Sequence, residues 1–241
     1  MLSTDLHLKQ DSDSTIISIE FPKEGKIRSR TVVSRSRARP TGKFPSWKMG
    51  RMIQWESCNE LNAYRLLDVN PHVISYSEQP LIIRYIQDGI PYIHYPDTLV
   101  QFQNSQELWE IKTAKDAVRP ENIQRTQLLE SALYNLGYRY RLIIAEDLAR
   151  EPRLSNCLIL LKFGRNPVSL LAEEQLKQIL SVTGSISWDS ILQGAMGPEG
   201  RKIICRLVLE GVLTLDIEKP LLSENHFSWV AENTKAANWE V

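Results

Sequence analysis

The order of predicted elements between residues 52 and 163 limits the fold more than any other feature of the sequence. Helices are predicted at 52–67 and 120–136, and Pro71 and Gly137 stand just beyond their ends. Strand-like segments lie between and after these helices, at 79–86, 92–102, 107–112, 138–145 and 158–163. A helix, three strands, a helix and further strands together predict a mixed α/β core of about 110–120 residues.

A second unit is predicted beyond Pro167. Its helices are expected at 170–180, 187–192 and 198–210, with Ser187 as an N-cap and Pro198 at the start of the third helix. These helices and a two-stranded hairpin at 212–217 and 226–230 are typical of a winged-helix-like domain. The predicted organisation is a basic arm at 1–50, a core at 51–166, a winged-helix-like domain at 167–230 and a flexible polar tail at 231–241.

The charge of the chain is unevenly distributed. The 29 basic and 29 acidic residues cancel over the whole sequence, but residues 26–51 contain nine basic residues and no acidic one. A basic segment rich in serine, arginine and proline is suited to binding nucleic-acid phosphates, and the alternative is a solvated, flexible leader. The candidate DNA-binding residues in it are Arg35, Arg37, Arg39, Lys43, Lys48 and Arg51.

Several classes of protein are disfavoured by the sequence. The longest apolar run, at 157–161, is far shorter than the ~18 residues that a membrane-spanning helix needs, and we expect no signal peptide, since the first residues lack a charged-then-apolar pattern. Three cysteines that are far apart indicate reduced thiols, so we expect a cytoplasmic location and no membrane partner. Because no CxxC or HExxH motif is present, a zinc site is not expected.

Three charged residues on two neighbouring predicted strands are candidates for catalysis. Glu110 and Lys112 are two residues apart, so they lie on one face of their strand. The turn near 103–105 decides where Asp97 lies: a loop of two or four residues puts it on the same face, whereas a loop of three opposes it to Ile111. Two carboxylates on one face, with the Ile111 carbonyl as a further oxygen, suit a hard cation such as Mg²⁺, for which Mn²⁺ can substitute.

Lys112 beside such a cation would orient a water molecule and stabilise its deprotonated form. This arrangement is the apparatus for metal-assisted hydrolysis of a phosphodiester. The alternative is that Asp97 and Glu110-Ile111-Lys112 are charged residues on exposed strand faces, where alternating charges are common.

A third carboxylate is expected on the helix predicted at 52–67. Glu56 and Glu60 are four residues apart and therefore on neighbouring turns. Tyr64 and Leu67 flank Glu60 on the helical wheel and direct it towards the body of the protein, where a metal ion would offset the cost of burying its charge. Glu56 is the alternative candidate for this role. The alternative role for Glu60 is a salt bridge, with Arg51, Arg65 or Lys112.

The sequence around these residues resembles the TnsA endonucleases of heteromeric cut-and-paste transposons, including the CRISPR-associated ones. The resemblance covers roughly residues 40–145 and combines a Ser-x-x-Glu motif, a Glu-Gln-Pro element, a Pro-Asp pair and a Glu-x-Lys motif. The residues that carry it are Gly50-Arg51, Ser57-Cys58-Asn59-Glu60-Leu61, the helix end at 68–71, Ser77-Glu78-Gln79-Pro80, Pro96-Asp97 and Glu110-Ile111-Lys112.

The resemblance implies a restriction-endonuclease-like fold with a C-terminal winged helix. It implies that Glu60, Asp97 and Glu110 bind the metal ion and that Lys112 is the catalytic lysine. In this family the enzyme cuts the non-transferred strand near the 5′ ends of the transposon, and a TnsB-type transposase cuts the 3′ ends. A TnsC-type AAA+ regulator joins both to the target. We therefore expect a Mg²⁺-dependent DNA endonuclease of a bacterial cytoplasm, with transposon-end DNA and these two proteins as partners.

Other functions are also compatible with the sequence. The chain could be another restriction-like nuclease or a resolvase, or a catalytically silent DNA- or protein-binding adaptor, although the complete set of four candidate residues argues against silence. Gln124 and Gln127 follow the Glu-x-Lys strand on a helix and could contact the active site. Three basic residues of the third C-terminal helix could contact DNA phosphates or a protein: Arg201, Lys202 and Arg206.

Overall fold

The computed structural model describes residues 6–7, 15–29, 40–221 and 225–230. The chain divides into two compact units, one formed by residues 1–64 and 73–147 and the other by residues 65–72 and 148–241. Within the described ranges, no helix has both the length and the apolar character that crossing a membrane requires. The N-terminal unit is mixed α/β, as predicted from its element order.

The strands of the N-terminal unit are β1 Leu6–His7, β2 Thr15–Glu20, β3 Gly42–Ser46, β4 Arg51–Trp55, β5 Val73–Glu78, β6 Ile82–Gln87, β7 Ile90–His94, β8 Thr98–Phe102, β9 Gln106–Lys112 and β10 Tyr138–Ile144. Its helices are α1 Cys58–Val69, α2 Ala114–Ala117, α3 Pro120–Tyr134 and α4 Ala145–Leu148. The division between the two units falls within α1 and within α4.

The sheet that carries the candidate site has the strand order β10-β9-β8-β5. Strand β8 is antiparallel to both β5 and β9, whereas β9 and β10 are parallel. Parallel neighbours need a crossover connection, and α2 and α3 supply it here. A second, antiparallel sheet has the order β1-β2-β6-β7, and β3 pairs with β4 in a separate hairpin.

Helices cover both faces of the site-bearing sheet. On one face Leu129 of α3 packs with Leu108 of β9 and Tyr140 of β10, in a buried cluster that includes residues of β2 and β6. Thr98 of β8 pairs with the residue that follows Leu108, so its side chain points to the opposite face. There its hydroxyl lies 3.4 Å from the hydroxyl of Tyr64, in α1.

The C-terminal unit contains α5 Arg153–Phe163, α6 Leu170–Thr183, β11 Ile186–Ser187, α7 Trp188–Leu192, α8 Gly200–Leu209, β12 Leu213–Thr214 and β13 His226–Trp229. Its three short strands form an antiparallel sheet in the order β11-β13-β12. The hydroxyls of Ser169 and Ser187 accept backbone N–H groups at the starts of α6 and α7, so the predicted cap at Ser187 is confirmed.

Two predictions confused helix with strand. Residues 51–55 form β4 and not the start of a helix, because they pair with β3 across a turn that contains Gly50. Helix α1 begins after Ser57, whose hydroxyl accepts the Glu60 N–H at 3.2 Å. The strand predicted at 158–163 is the second half of α5. Buried residues recur there at helical spacing: Arg153, Cys157, Leu160 and Leu161.

The segment predicted as one strand at 92–102 is two strands that belong to different sheets. Strand β7 ends at His94 and β8 begins at Thr98. Pro96 lies between them, and a proline has no N–H to donate to a strand ladder. Asp97 therefore lies where the chain passes from one sheet into the other. Neither β3 nor β5 was predicted from the sequence.

Helix α5 packs closely against α8 in the C-terminal unit. A Cβ atom at Gly164, the C-cap of α5, would lie 2.8 Å from the backbone carbonyl carbon of Cys205 in α8, so only glycine allows this approach. Helix α5 belongs to the same unit as the later helices. The boundary between the units therefore falls after Asp147, whereas it was predicted at Pro167.

Candidate active site

Asp97 lies beside Glu110 at the open end of the β8–β9 hairpin. Gln101 pairs with Gln106 across the four residues 102–105, and the register continues to Thr98 opposite Trp109, the residue before Glu110. The ladder is irregular at Asp97, whose N–H and carboxylate contact Trp109 and Ile111, the two neighbours of Glu110. Because Lys112 is two residues beyond Glu110 on β9, these two side chains share one face of the strand.

The backbone and the side chain of Asp97 are both held in place. Its N–H donates to the carbonyl of Trp109 at 2.9 Å, and its carbonyl accepts the N–H of Gln79 at 3.0 Å. Its Oδ2 atom accepts the Ile111 N–H at 2.7 Å. These three bonds fix the carboxylate at the edge of β9, beside the residue that follows Glu110.

The electrostatic environment of Asp97 disfavours its ionised form. Burial, and then the carboxylates of Glu110 and Glu60, raise the pKa of Asp97 well above its ordinary value, and the hydrogen bond from Ile111 and the charge of Lys112 oppose this rise. Glu110, Glu60 and Lys112 therefore all lie close enough to Asp97 to influence its ionisation. The three carboxylates have one more negative charge than Lys112 and one further cation could offset.

The two oxygens of Glu110, which is 4% exposed, differ in their surroundings. Oε1 lies 2.5 Å from the Lys112 Nζ and 3.4 Å from Nη2 of Arg125. Oε2 is fully buried and has no hydrogen-bond partner among the described residues. A buried carboxylate oxygen without a donor is costly, so Oε2 is an atom with capacity for a ligand.

His94 and Tyr140 form the wall behind Glu110. The Nε2 atom of His94 lies 3.0 Å from the Tyr140 hydroxyl and 3.5 Å from Glu110 Oε2. Burial lowers the pKa of His94 to about 4, so the imidazole is neutral near pH 7 and its contact with Glu110 is not an ion pair. The positive charge that balances Glu110 therefore comes from Lys112 and Arg125 and not from His94.

Glu60 lies in the first turn of α1 and also helps to cap that helix. Its Oε1 accepts the Ser57 hydroxyl at 3.1 Å and its Oε2 accepts the Glu56 N–H at 2.9 Å. The Ser57 hydroxyl in turn accepts the Glu60 N–H, so Ser57 and Glu60 form an arrangement related to a capping box. Glu56 precedes the helix, so the prediction that both glutamates lie on neighbouring helical turns was wrong.

Arg51, predicted to contact DNA, pairs with a fully buried carboxylate. Its two Nη atoms bind the two oxygens of Glu78 at 2.9 and 2.7 Å. Arg28 and the Gln54 N–H also bind Glu78, at 2.9 and 3.2 Å. Glu78 precedes Gln79, whose N–H binds the backbone of Asp97, so this cluster supports the strand end beside the site. The Glu-Gln-Pro element drew attention to Glu78 in the sequence, but nothing in the sequence indicated which residues bind Glu78.

The other candidate DNA contacts are only partly placed by the structure. Lys48 donates to the carbonyl of Val73 at 2.7 Å, and Lys43 is exposed on β3. Three of the predicted contacts lie outside the described residues: Arg35, Arg37 and Arg39.

Arg125 is the residue of α3 that contacts a site carboxylate, and it was not predicted from the sequence. Gln124 and Gln127 line an open polar groove of about 500 Å³ with Gln87 and Asp88. Arg125, between the two glutamines in the chain, contacts Glu110. Successive residues on a helix point in different directions, and spacing alone did not show which of them meets the strand.

The three basic residues predicted for DNA or protein contact on α8 have partners within the C-terminal unit. The guanidinium of Arg201 lies 4.8 Å from the ring centroid of Phe163. Lys202 and Arg206 each lie 2.6 Å from a glutamate that flanks α8, respectively Glu199 and Glu210. These contacts hold the basic side chains along the helix.

The oxygen atoms at the site suit a hard divalent cation. In the described part of the chain, no three His, Cys, Asp or Glu side chains are grouped as a metal site, so a backbone oxygen would have to complete the set. The Ile111 N–H points to Asp97, and since the N–H and C=O of a strand residue point to the same side, the Ile111 carbonyl lies on that side too. Asp97, the unpartnered oxygen of Glu110 and this carbonyl are oxygen ligands of the type that Mg²⁺ takes.

Comparison with protein families matches residues 70–144 to the family described as TnsA-like endonuclease N terminal. Residues 70–144 are therefore similar to a TnsA-like endonuclease domain. The TnsA-like segment spans β5 to β10 and includes Asp97, Glu110 and Lys112, whereas Glu60 precedes it. The resemblance inferred from the motifs is thereby confirmed. Comparison with curated proteins finds no match.

Proposed function

We propose that this chain is a Mg²⁺-dependent DNA endonuclease that cleaves the non-transferred strand at the 5′ ends of a transposon. The observation that carries the proposal is that the Asp97 carboxylate is bonded to β9 at the residue after the buried Glu110, and that Lys112 pairs with Glu110. A chance pair of charged residues on strands would be solvated, whereas Glu110 is buried and keeps an oxygen without a hydrogen bond.

Four residues would hold the metal ion. Asp97, Glu110 and the Ile111 carbonyl contribute oxygens from the hairpin, and Glu60 contributes from the start of α1. When bound, Mg²⁺ supplies positive charge that stabilises negative charge developing on the phosphate and eases deprotonation of a water molecule. Mn²⁺ would substitute, because it also accepts carboxylate and carbonyl ligands.

Lys112 has the central role among the cationic side chains. Its ammonium group, 2.5 Å from Glu110 Oε1, would orient the attacking water and stabilise its deprotonated form. The water oxygen would bond to phosphorus and give up a proton to solvent, the bond from phosphorus to the leaving sugar oxygen would break, and that oxygen would take up a proton in its place. The hydrogen bond from Ile111 to Asp97 keeps the carboxylate aligned during this exchange.

The partners proposed are transposon-end DNA, a TnsB-type transposase and a TnsC-type AAA+ regulator. The basic arm would bind DNA phosphates. In the C-terminal unit, the order α6-β11-α7-α8-β12-β13 with its antiparallel sheet supports a winged-helix-like module. Because the basic side chains of α8 are engaged within the unit, we assign this module to the regulator and not to the cleaved DNA.

The proposal is tested by a strand-specific cleavage assay on DNA that carries the element ends. The chain is incubated with Mg²⁺, Mn²⁺ or EDTA, with and without the neighbouring transposase. We expect cuts at the 5′ ends that need the metal ion. Cuts at unrelated sites without the transposase would identify another restriction-like nuclease, and no cleavage under any condition would identify a silent adaptor.

The basic arm is tested separately by DNA affinity at different salt concentrations. Replacing Arg35, Arg37 and Arg39 by alanine removes three proposed phosphate contacts. The slope of log affinity against log salt should then decrease in magnitude by roughly 2.7, at ~0.9 per contact. An unchanged slope would mean that the arm is a solvated leader or serves a protein partner.

A further inference from the structure

Arg125 is the second cation beside Glu110, and its contacts leave it with unused capacity. It lies on α3, and its Nη2 atom donates to Asn122 Oδ1 at 2.8 Å. The Nδ2 atom of Asn122 donates to the Asp116 carbonyl at 2.7 Å, which anchors the pair. The contact of Nη2 with Glu110 Oε1 is long, at 3.4 Å. The Nε–H of Arg125 is buried and has no acceptor among the described residues.

The site therefore contains two unmatched atoms of opposite kind. Glu110 Oε2 is an acceptor without a donor, and Arg125 Nε is a donor without an acceptor. A divalent cation can satisfy the carboxylate oxygen, but it cannot satisfy an N–H group. Only an electronegative ligand atom can do so, and a guanidinium matches phosphate oxygens particularly well.

The charges at the site point to the same ligand. The carboxylates of Glu60, Asp97 and Glu110 have a formal charge of −3 when ionised, and Lys112 and Arg125 contribute +2. One divalent cation brings these groups to +1, which complements the single negative charge of a phosphodiester. Without Arg125 the sum would be zero, so this arginine provides the charge that favours an anion at the loaded site.

We propose that Arg125 binds a phosphate oxygen of the DNA at the cleavage site. The inference rests on the proposed nuclease function and adds a substrate contact to it. Arg125 rests against Glu110 in the structure, and because that contact is long and the buried Nε–H has no acceptor, the guanidinium would turn from Glu110 to the phosphate when DNA binds. It then acts on the substrate directly, and not through the carboxylate beside it.

The test uses two neutral replacements and a matched control. Arg125→Ala removes the guanidinium, and Arg125→Gln removes the charge while keeping most of the side-chain length, so it is the variant to use if the alanine protein does not fold. Arg141→Ala is the control, because Arg141 also contacts one glutamate of β9, Glu107, at 3.2 Å. Circular dichroism establishes that each protein is folded.

The first readout is the affinity for a duplex DNA oligonucleotide, measured by fluorescence anisotropy over a range of salt concentrations, with Ca²⁺ in place of Mg²⁺. The neutral Arg125 variants should bind more weakly, with a slope of log affinity against log salt smaller in magnitude by about 0.9. Arg125→Lys should keep the wild-type slope, since it keeps the charge. The Arg141→Ala protein should also keep it.

The second readout is the affinity for Mn²⁺ without DNA, measured by calorimetry. Removing a positive charge beside the site should leave this affinity unchanged or increase it. A wild-type salt slope together with weaker Mn²⁺ binding would overturn the proposal, because Arg125 would then only orient Glu110. A wild-type slope with wild-type Mn²⁺ binding would overturn it as well.

The same calorimetry separates this inference from the proposed function. If Asp97→Ala and Glu110→Ala bind Mn²⁺ as the wild type does, the metal site itself is assigned wrongly. If those two variants lose Mn²⁺ and the neutral Arg125 variants bind DNA like the wild type, only the phosphate contact is wrong.

Discussion

Asp97 accepts a hydrogen bond from the N–H of Ile111, at 2.7 Å, and this bond ties the carboxylate of one strand to the backbone beside Glu110 on the next. Asp97 lies where the chain leaves the β6–β7 hairpin for the site-bearing sheet. The position of this carboxylate therefore depends on both sheets, and its chemistry depends on how many charges surround it.

Glu60 should matter for cleavage and only modestly for stability. Glu60→Gln keeps an oxygen that can accept the Glu56 N–H, so we expect the free energy of unfolding to fall by no more than about 1 kcal/mol, the usual worth of a helix cap. Loss of the charge should nearly abolish cleavage. Glu56→Ala is the control, because it keeps the backbone N–H that binds Glu60. An active Glu60→Gln protein and an inactive Glu56→Ala protein would exchange the roles of the two glutamates.

Lys112→Ala should impair cleavage more than metal binding. The ammonium group acts on water and on the developing phosphate charge and contributes no ligand to Mg²⁺. Cleavage rates at saturating Mg²⁺ and calorimetric Mn²⁺ affinity give the comparison, with Lys115→Ala, an exposed lysine of α2, as the control. Equal loss of both properties would favour a structural salt bridge between Lys112 and Glu110.

Asp97→Asn should stabilise the metal-free protein at neutral pH. Burial, then Glu110 and Glu60, raise the pKa of Asp97 in the folded state, so the folded protein holds this proton more tightly than the unfolded chain does. Stability therefore falls as the pH rises from the ordinary pKa of 3.8 towards the raised value, and the asparagine variant lacks this loss.

Thermal unfolding in EDTA at a series of pH values measures this effect. The midpoints of the wild type and Asp97→Asn should converge below pH 3.8 and separate above it, with the variant more stable. Asp88→Asn, at an exposed turn, should show no such separation. If the wild type is more stable than Asp97→Asn at neutral pH, the neighbouring carboxylates do not disfavour the ionised form of Asp97.

Arg51→Ala should destabilise the fold by about 3 kcal/mol, since removing one partner of a buried ion pair leaves a charge without compensation. This figure is at the lower end of the usual range because Arg28 still binds Glu78. Chemical denaturation measures the change. Arg84→Ala, which breaks an exposed pair with Glu20, should leave stability nearly unchanged. If Arg51→Ala keeps full stability and weakens DNA binding, Arg51 is the DNA contact predicted from its charge.

Much of the site was predictable because its signals are local. Pro120 and Gly137 mark the ends of α3 and its turn, and the two-residue spacing of Glu110 and Lys112 puts both on one face of β9. The boundary between β4 and α1 was not predicted, although Ser57 and Glu60 have the spacing that is typical of a helix N-terminus. The apolar residues of 52–67 fit a packed helix as well, and only pairing with β3 makes residues 51–55 a strand.

Other features depend on contacts that no spacing encodes. The run at 157–161 is as apolar as a buried strand, and packing of α5 against α8 decides that it is a helix. The pairing of Arg51 with Glu78 and the contact of Arg125 with Glu110 join residues that are 27 and 15 positions apart. Such pairs arise from the way in which separate elements meet.

The most direct test of the active-site assignment is strand cleavage by Asp97→Ala on DNA with the element ends, in Mg²⁺ and with the transposase present. Loss of this metal ligand removes charge stabilisation worth several kcal/mol, so the folded variant should show no cuts at the 5′ ends, while the Asp88→Ala control cuts as the wild type does. Cleavage at the wild-type rate by a folded Asp97→Ala protein would contradict the assignment of the active site.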